Sequence, residues 1–275
     1  MFKLRTLTNA ISFFTGKIAA CNLPIFLRQA TYRVYGLLTG AIVEEAEYPL
    51  ESYLSLGDFF SRKLKLSARE IQGPICSPAD GTISGIGRIE NGELLQAKGS
   101  LYTVGELLLD GALAAEFENG TYATIYLAPG DYHRVHSPVT GKLRYSKHIP
   151  GALLPVGPTL AKYRDKLFSR NERALVVLDG TEGGSCVVCL VGALNVGCIE
   201  LSHSKIRSNA SLKSVIDSPP PTIKYPDSPT EIKLGEEVGV FSLGSTAIAL
   251  FSKEFAFEFR VTLGQEIRMG QSLIV

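Results

Sequence analysis

The sequence predicts an α+β chain dominated by β-structure, with N-terminal amphipathic helices followed by an antiparallel barrel-like sandwich built from two similar halves. Three observations lead there. Residues 1–43 carry apolar side chains at near-helical spacing and contain no Asp or Glu. From residue 74 onward, short apolar runs are separated by Gly, Pro, Asn and Asp, the punctuation of antiparallel strands. Within that region two short patterns return, which suggests paired turn-and-strand units.

In the first segment, Asn22 is a candidate cap for a helix opening near Pro24, with Ile25, Phe26, Ala30, Val34, Leu37 and Leu38 close to helical spacing. Lys3, Arg5, Lys17, Arg28 and Arg33 frame that apolar face until Glu44, Glu45 and Glu47 end the asymmetry. No apolar run reaches the roughly 18 residues that a bilayer span needs. A basic amphipathic helix lies flat in an interface instead, and each Lys or Arg near an anionic leaflet adds about 1 kcal/mol. Packing of the helix on its own domain and a transit peptide over residues 1–20 are the alternatives to membrane-surface docking, which is preferred.

Next, Ser55-Leu56-Gly57-Asp58 ahead of Phe59 and Phe60 has the form of a capping box opening a short helix through Leu64. Strands are expected over 82–86, 122–127, 174–178, 186–191, 199–201, 238–241 and 246–251, and a helix over 101–109. The recurring patterns are Ser77-Pro78-Ala79-Asp80-Gly81 against Ser137-Pro138-Val139-Thr140-Gly141, and Leu234-Gly235-Glu236-Glu237-Val238 against Leu263-Gly264-Gln265-Glu266-Ile267. Carrier domains use comparable turns and modify a Lys at a hairpin tip, for which Lys98 is only a weak candidate.

Composition narrows the function. With 275 residues, 45% apolar and 20% charged against roughly 25% in an average globular chain, the protein can bury a core, and neither disorder nor coiled coil describes it. Lys plus Arg (28) nearly cancel Asp plus Glu (27), so no global charge argues for nucleic acid as a partner. Five cysteines do not read as a secreted disulfide framework. Cys186 and Cys189 form a CxxC, but in a strand that spacing puts the sulfurs on opposite faces, so they read as core filler.

Chemistry can sit in two places. Asp131-Tyr132-His133-Arg134-Val135-His136-Ser137-Pro138 holds two of the four histidines, and Pro138 keeps His136 out of a long helix, so the rings point in different directions. Zinc is a weak reading for want of further ligands at the right spacing, and a general acid or base suits such a His better. The second place is Leu243-Gly244-Ser245-Thr246 between two apolar runs. Taken alone, Gly-Ser there is a bulge or turn. The flexible Gly also exposes its carbonyl to the Ser245 hydroxyl. Attack would give an N-to-O acyl shift, and elimination across Ser245 Cα and Cβ would leave dehydroalanine, which hydrolyses to a pyruvoyl group and ammonia.

These residues carry a resemblance. From about Tyr53 to Val275 the chain resembles the phosphatidylserine decarboxylases, pyruvoyl enzymes that convert phosphatidylserine to phosphatidylethanolamine and carbon dioxide. The motifs are Asp58-Phe59-Phe60-Ser61-Arg62, Pro78-Ala79-Asp80-Gly81, Gln96-Ala97-Lys98-Gly99, Tyr132-His133-Arg134-Val135-His136, Arg170-Asn171-Glu172-Arg173, Val191-Gly192-Ala193 and Leu243-Gly244-Ser245-Thr246. The resemblance implies self-cleavage between Gly244 and Ser245 by an Asp80, His136 and Ser245 relay with the logic of a serine-protease triad. It implies His133 beside the pyruvoyl group, in decarboxylation or the proton transfer that follows. The cofactor would be the pyruvoyl group made from Ser245, forming a Schiff base with substrate, with no PLP and no metal. Arg170 and Arg173 are candidates for the lipid phosphate.

The implied organisation is a docking segment over 1–50 and a decarboxylase domain over 51–275, split after cleavage into a β chain (1–244) and an α chain (245–275). The expected partners are phosphatidylserine, an anionic membrane surface and the protein's own two chains, with no nucleic acid and a homodimer left open. A peripheral place on the cytoplasmic face of the cell membrane is expected. A soluble pyruvoyl-dependent amino-acid decarboxylase, a zinc peptidase and a non-enzymatic lipid-binding module are the competing functions.

Overall fold

A computed structural model gives the architecture and describes residues 2–97, 100–157, 164–195, 198–208, 220–242 and 245–275. The chain opens with helices α1 (Phe2–Ala19) and α2 (Ile25–Thr39). Pro24 is the residue before α2 and no side chain caps it, so Asn22 does not act as the expected cap. Ser55 does cap: its hydroxyl accepts from Asp58 N, and the Asp58 carboxylate accepts from Leu54 N at 2.8 Å. The resulting helix α3 (Leu56–Phe60) stops short of Leu64. Tyr32 of α2 packs with Ala46, Tyr53 and Phe59 in a small core, with Tyr32 and Phe59 stacked at 4.6 Å.

The β-rich body follows in chain order as β1 (Gly81–Arg88), β2 (Glu93–Ala97), β3 (Ser100–Thr103), α4 (Val104–Leu108), α5 (Gly111–Ala115), β4 (Thr121–Leu127), β5 (Arg134–His136) and β6 (Gly141–Ile149). Helix α6 (Leu167–Arg170), β7 (Arg173–Gly180), β8 (Ser185–Val191), β9 (Ile199–Leu201), β10 (Thr222–Lys224), β11 (Glu231–Ile232), β12 (Glu237–Phe241), β13 (Ser245–Phe251) and β14 (Glu266–Ile267) complete it. All seven expected strands form. The helix expected over 101–109 does not start at 101, because Thr103 and Glu106 make a reciprocal capping box that begins the helix at Val104 and leaves 101–103 in β3.

A large antiparallel sheet organises the body, in the order β10-β6-β7-β8-β13-β4-β1-β14 with β11 also on β6. Its two ends do not pair with each other among the described residues, so no closed barrel is found. A smaller sheet runs β5-β12-β9. Strand β13 lies in the middle of the large sheet and is buried along its whole length. Cys186 and Cys189 on β8 are fully buried, and burial alone pushes the Cys186 thiol far up, as befits core residues.

The first recurring pattern is the same turn twice. Ser77 Oγ donates to Ala79 O at 2.7 Å and Ser137 Oγ to Val139 O at 2.6 Å. The turns clasp each other, His136 N to Pro78 O at 2.8 Å and Cys76 N to Pro138 O at 3.1 Å. The second pattern occurs three times: 233–236, 262–265 and 268–271 each fold back so that a Glu or Gln side chain accepts the N–H three residues earlier. The third copy, missed in the sequence, sits against Ser77 as the first sits against Ser137. Gly270 N donates to Ser77 O and Gly235 N to Ser137 O, both glycines having the positive φ (86° and 76°) such a turn needs.

Candidate active site

The clasped turns place Asp80 and His136 near each other, but their side chains take other partners. Asp80 occupies the position of Thr140 in the matching turn. Its Oδ1 accepts Met269 N at 2.8 Å, where Thr140 Oγ1 accepts Leu234 N at 3.0 Å. A hydroxyl therefore suffices for the turn, and what Asp80 adds is charge. That charge meets Arg69, whose Nε lies 2.9 Å from Oδ1 and whose Nη2 also donates to Oδ2. Arg69 continues to Glu45 at 2.9 Å, tying the chain after α2 to this turn.

Both histidines are held through Nδ1 by a main-chain carbonyl. His136 Nδ1 lies 2.8 Å from Gly235 O, and His133 Nδ1 lies 2.9 Å from Asp131 O. A carbonyl only accepts, so Nδ1 carries the proton in each ring and Nε2 presents the lone pair. In His136 that lone pair accepts the Tyr132 hydroxyl at 3.1 Å. In His133 it has no partner, although the ring is fully buried under Phe60 at 4.1 Å between centroids. Burial pushes the His133 imidazole down to about 3, and burial also lowers His136. Each ring is thus a neutral base in a different setting.

Ser245 heads β13, paired with Leu127 at the end of β4. Its side chain is 1% exposed and Oγ has no hydrogen-bond partner. From Leu127 the chain runs through 128–132 to His133, whose carbonyl accepts Phe241 N at 3.0 Å. Leu127 and His133 thus hold Ser245 and Phe241. Leu243 and Gly244 lie outside the described residues, as do Lys98 and Gly99. His133, just before β5, and Ser245, at the head of β13, each carry an unpaired polar atom shut off from water.

The segment 128–132 that leads from β4 to His133 lines a cavity of about 510 Å³ with Arg62, Arg69 and Asp80, its own part being Ala128, Gly130, Asp131 and Tyr132. Asp131 accepts Ala128 N at 2.6 Å, and burial pushes its carboxyl up to about 6. Neither candidate from the Arg170 motif reaches this place. Arg173 is buried and spends Nε, Nη1 and Nη2 on the carbonyls of Leu107, Asn171 and Glu106, while Arg170 is an exposed residue ending α6. Sequence reasoning did not single out Arg69, Tyr132 or Asp131 as individual groups. Tyr132 stood inside a quoted motif, whereas nothing marked Arg69, which sits 11 residues before Asp80.

Known sequences resemble this chain along nearly its whole length. Residues 56–275 match the family described as phosphatidylserine decarboxylase. The chain is 37% identical over 270 residues to a phosphatidylserine decarboxylase proenzyme of Anaeromyxobacter sp. (strain K), covering 96% of this chain and 93% of that one. It is 39% identical over 270 residues to the protein of that name in Psychrobacter arcticus, with the same coverage. To that of Pseudomonas entomophila (strain L48) it is 40% identical over 281 residues, again with 96% and 93% coverage.

Proposed function

The chain belongs to the phosphatidylserine decarboxylase proenzyme family of carboxy-lyases, and we propose that it cuts itself between Gly244 and Ser245 and then decarboxylates phosphatidylserine to phosphatidylethanolamine. One observation carries the self-cleavage: the Ser245 hydroxyl is buried and unpartnered at the head of the central strand β13. A hydroxyl there is costly unless it is used. In the reaction Ser245 Oγ attacks the Gly244 carbonyl carbon and His136 Nε2, released by Tyr132, takes its proton. The C–N bond breaks, that proton goes to the Ser245 nitrogen, and an ester results. Loss of the Ser245 α-proton expels the Gly244 carboxylate, and water then replaces the nitrogen, which leaves as ammonia.

The residues present fit the group that would form. Its site would be dry, since Ser245 and His133 are both buried, and no polar side chain competes for the Ser245 position among the described residues. The pyruvoyl group would supply a ketone that takes the substrate amine and accepts the electron pair left as carbon dioxide departs. His133, with Nδ1–H fixed on Asp131 O and Nε2 open, would hold or deliver the proton at the substrate carbon. The matched turns at Ser77 and Ser137 support reading the body as two similar halves of a barrel-like sandwich, with the site where the turns clasp.

The helical segment supports a lipid substrate. In α1 the polar side chains face inward: Arg5 Nε and Asn9 Nδ2 donate to Gly151 O, and Ser12 Oγ accepts Asn195 N. Leu7, Ile11, Phe14 and Ile18 form an exposed stripe, and on α2 Leu37 and Leu38 are 87% and 81% exposed. That reverses the arrangement of a helix in water. No described helix is long and apolar enough to cross a membrane. We read the segment as a peripheral membrane anchor, placed on the cytoplasmic face where anionic lipids attract Lys17 and Arg33. Arg5 and Arg28 are spent on carbonyls, so fewer than the five basic residues contribute.

Intact mass tests the reading. The purified protein should consist of a 244-residue chain and a 31-residue chain, the difference from 275, with the small one opening on a pyruvoyl group. Ser245→Ala should stay whole and inactive. An unbroken chain with full decarboxylase activity would overturn the mechanism.

A further inference from the structure

Among the described residues, two arginines are almost wholly buried along their whole length, and they are treated in opposite ways. Arg173 gives all three of its nitrogens to carbonyls. Arg62, 4% exposed, gives only Nη2, to Gly130 O at 3.2 Å, while Nε and Nη1 have no partner. No carboxylate of the described residues pairs with it, and its guanidinium lies over the Phe59 ring at 5.0 Å. A buried cation with idle donors is expensive to keep, and such groups are normally paired. Arg69, on the same cavity, shows what pairing looks like, with Asp80 and Glu45 both in contact.

The place of Arg62 ties it to the chemistry. It follows Phe60 and Ser61. Phe60 covers His133, and Ser61 O accepts from Arg134 Nε at 2.9 Å. Gly130, which anchors Nη2, precedes Asp131, whose carbonyl fixes His133. The two pieces of chain that hold the His133 ring therefore also hold a cation at the wall of the 510 Å³ cavity. Arg207, on a smaller cavity of about 370 Å³, has no such character, being exposed and engaged with Glu200 and Cys198.

We propose that Arg62 is the phosphodiester-binding residue of the active site, taking the substrate head-group phosphate on its incompletely paired guanidinium. The inference rests on the substrate reading above. An edge of that group, Nε with Nη2 or Nη1 with Nη2, suits an oxyanion held by two N–H groups. The substrate carboxylate is the less suitable anion, because its charge leaves as carbon dioxide and an arginine bound to it would stabilise the ground state over the transition state. The phosphate keeps its charge throughout. Asp131 lines the same cavity, and a carboxyl there suits a head group that bears an ammonium two carbons from the phosphate ester oxygen.

Binding, not turnover, tests it, so that it can fail separately from the self-cleavage reading. The uncut Ser245→Ala chain is titrated calorimetrically with glycerophosphoserine and with glycerophosphoethanolamine, which keeps the phosphodiester and lacks the carboxylate. Both should bind, and adding Arg62→Gln should weaken both by a similar factor, about 30-fold. Arg62→Lys, which keeps a cation without the fork, should lose less and carries the test if Arg62→Gln does not fold. Loss confined to glycerophosphoserine would assign Arg62 to the carboxylate and overturn the proposal. So would unchanged binding of both, or no binding with Arg62 in place.

Discussion

The sharpest test of the self-cleavage relay lies in Asp80, because its carboxylate does not touch the imidazole it is expected to assist. The Gly235 carbonyl already orients His136, and Asp80 faces Arg69. Asp80 can then act on His136 only as a charge, and it does so, acting to raise the imidazole against the larger effect of burial. Asp80→Asn keeps an oxygen for Met269 N and removes that charge, which leaves the Arg69 cation less compensated near a ring that must itself become positive. At an effective dielectric near 20, a change of one charge at this kind of range is worth about 2 kcal/mol, or roughly 30-fold in rate. Scission followed by gel densitometry after a translation pulse should slow by about that factor. Arg69→Gln in the same chain removes the stranded cation, and the double variant should recover to within about 3-fold of the parent. A double variant as slow as Asp80→Asn alone would refute the argument and require Asp80 to bond the imidazole directly in the reacting state.

The two histidines should separate maturation from turnover. His136→Ala should leave precursor uncut by a factor of about 10² to 10⁴, whereas His133→Ala should cut, trap substrate under borohydride and release little carbon dioxide. The opposite pattern would exchange their roles. Leu37→Asp with Leu38→Asp, on the outer side of α2, should leave scission intact and reduce co-sedimentation with anionic vesicles, and equal sedimentation would show that the exposed face is not the anchor. His133 and Asp131 should pull stability in opposite directions with pH. The lowered His133 costs stability as pH falls from about 6.5 towards about 3, and the raised Asp131 costs stability as pH rises from about 3.8 to about 6. Asp131→Asn should therefore steepen the acid loss seen by urea unfolding between pH 4 and 6, and an unchanged slope would contradict the raised carboxyl.

Much of the fold was legible because β-strands announce themselves by apolar runs between turn residues. Strand β6 escaped for a physical reason. Its core face reads Leu143, Tyr145, Lys147, Ile149, and a lysine in the third place hides the alternation. Lys147 is nevertheless buried, because its ammonium bonds the Leu108 and Leu109 carbonyls that end α4. The helical segment was legible in kind but not in orientation. Periodicity says that Leu37 and Leu38 share a face, and only the structure says that Tyr32 and Gly36 point inward instead. For the site, the sequence put forward Asp80, His133, His136 and Ser245. It could not supply Arg69, Gly235 O or the idle donors of Arg62, since these are relations between residues far apart in the chain.

Cutting a chain beside its central strand would wreck most folds, and the position of Ser245 explains why this one should survive. Scission would leave residues 245–275 with no covalent link to the rest, yet β13 pairs along Ser245–Phe251 with β4 and along six of those residues with β8. Ala247, Ile248, Ala249, Leu250 and Phe251 are fully buried, and at about 1.5–3 kcal/mol for each of the three large side chains the strand alone contributes about 7 kcal/mol of apolar burial. Glu266 and Ile267 add pairs to β1, and Met269 N reaches Asp80. The newly formed end needs only local freedom, since the break falls at the head of the strand and not within it. The cut protein should accordingly elute as one species in native gel filtration, release its small chain only in denaturant, and lose that chain in the same urea transition that melts the large sheet. Release of the 31-residue chain at a lower urea concentration, with the remainder still folded, would show that β13 is not what holds the two chains together.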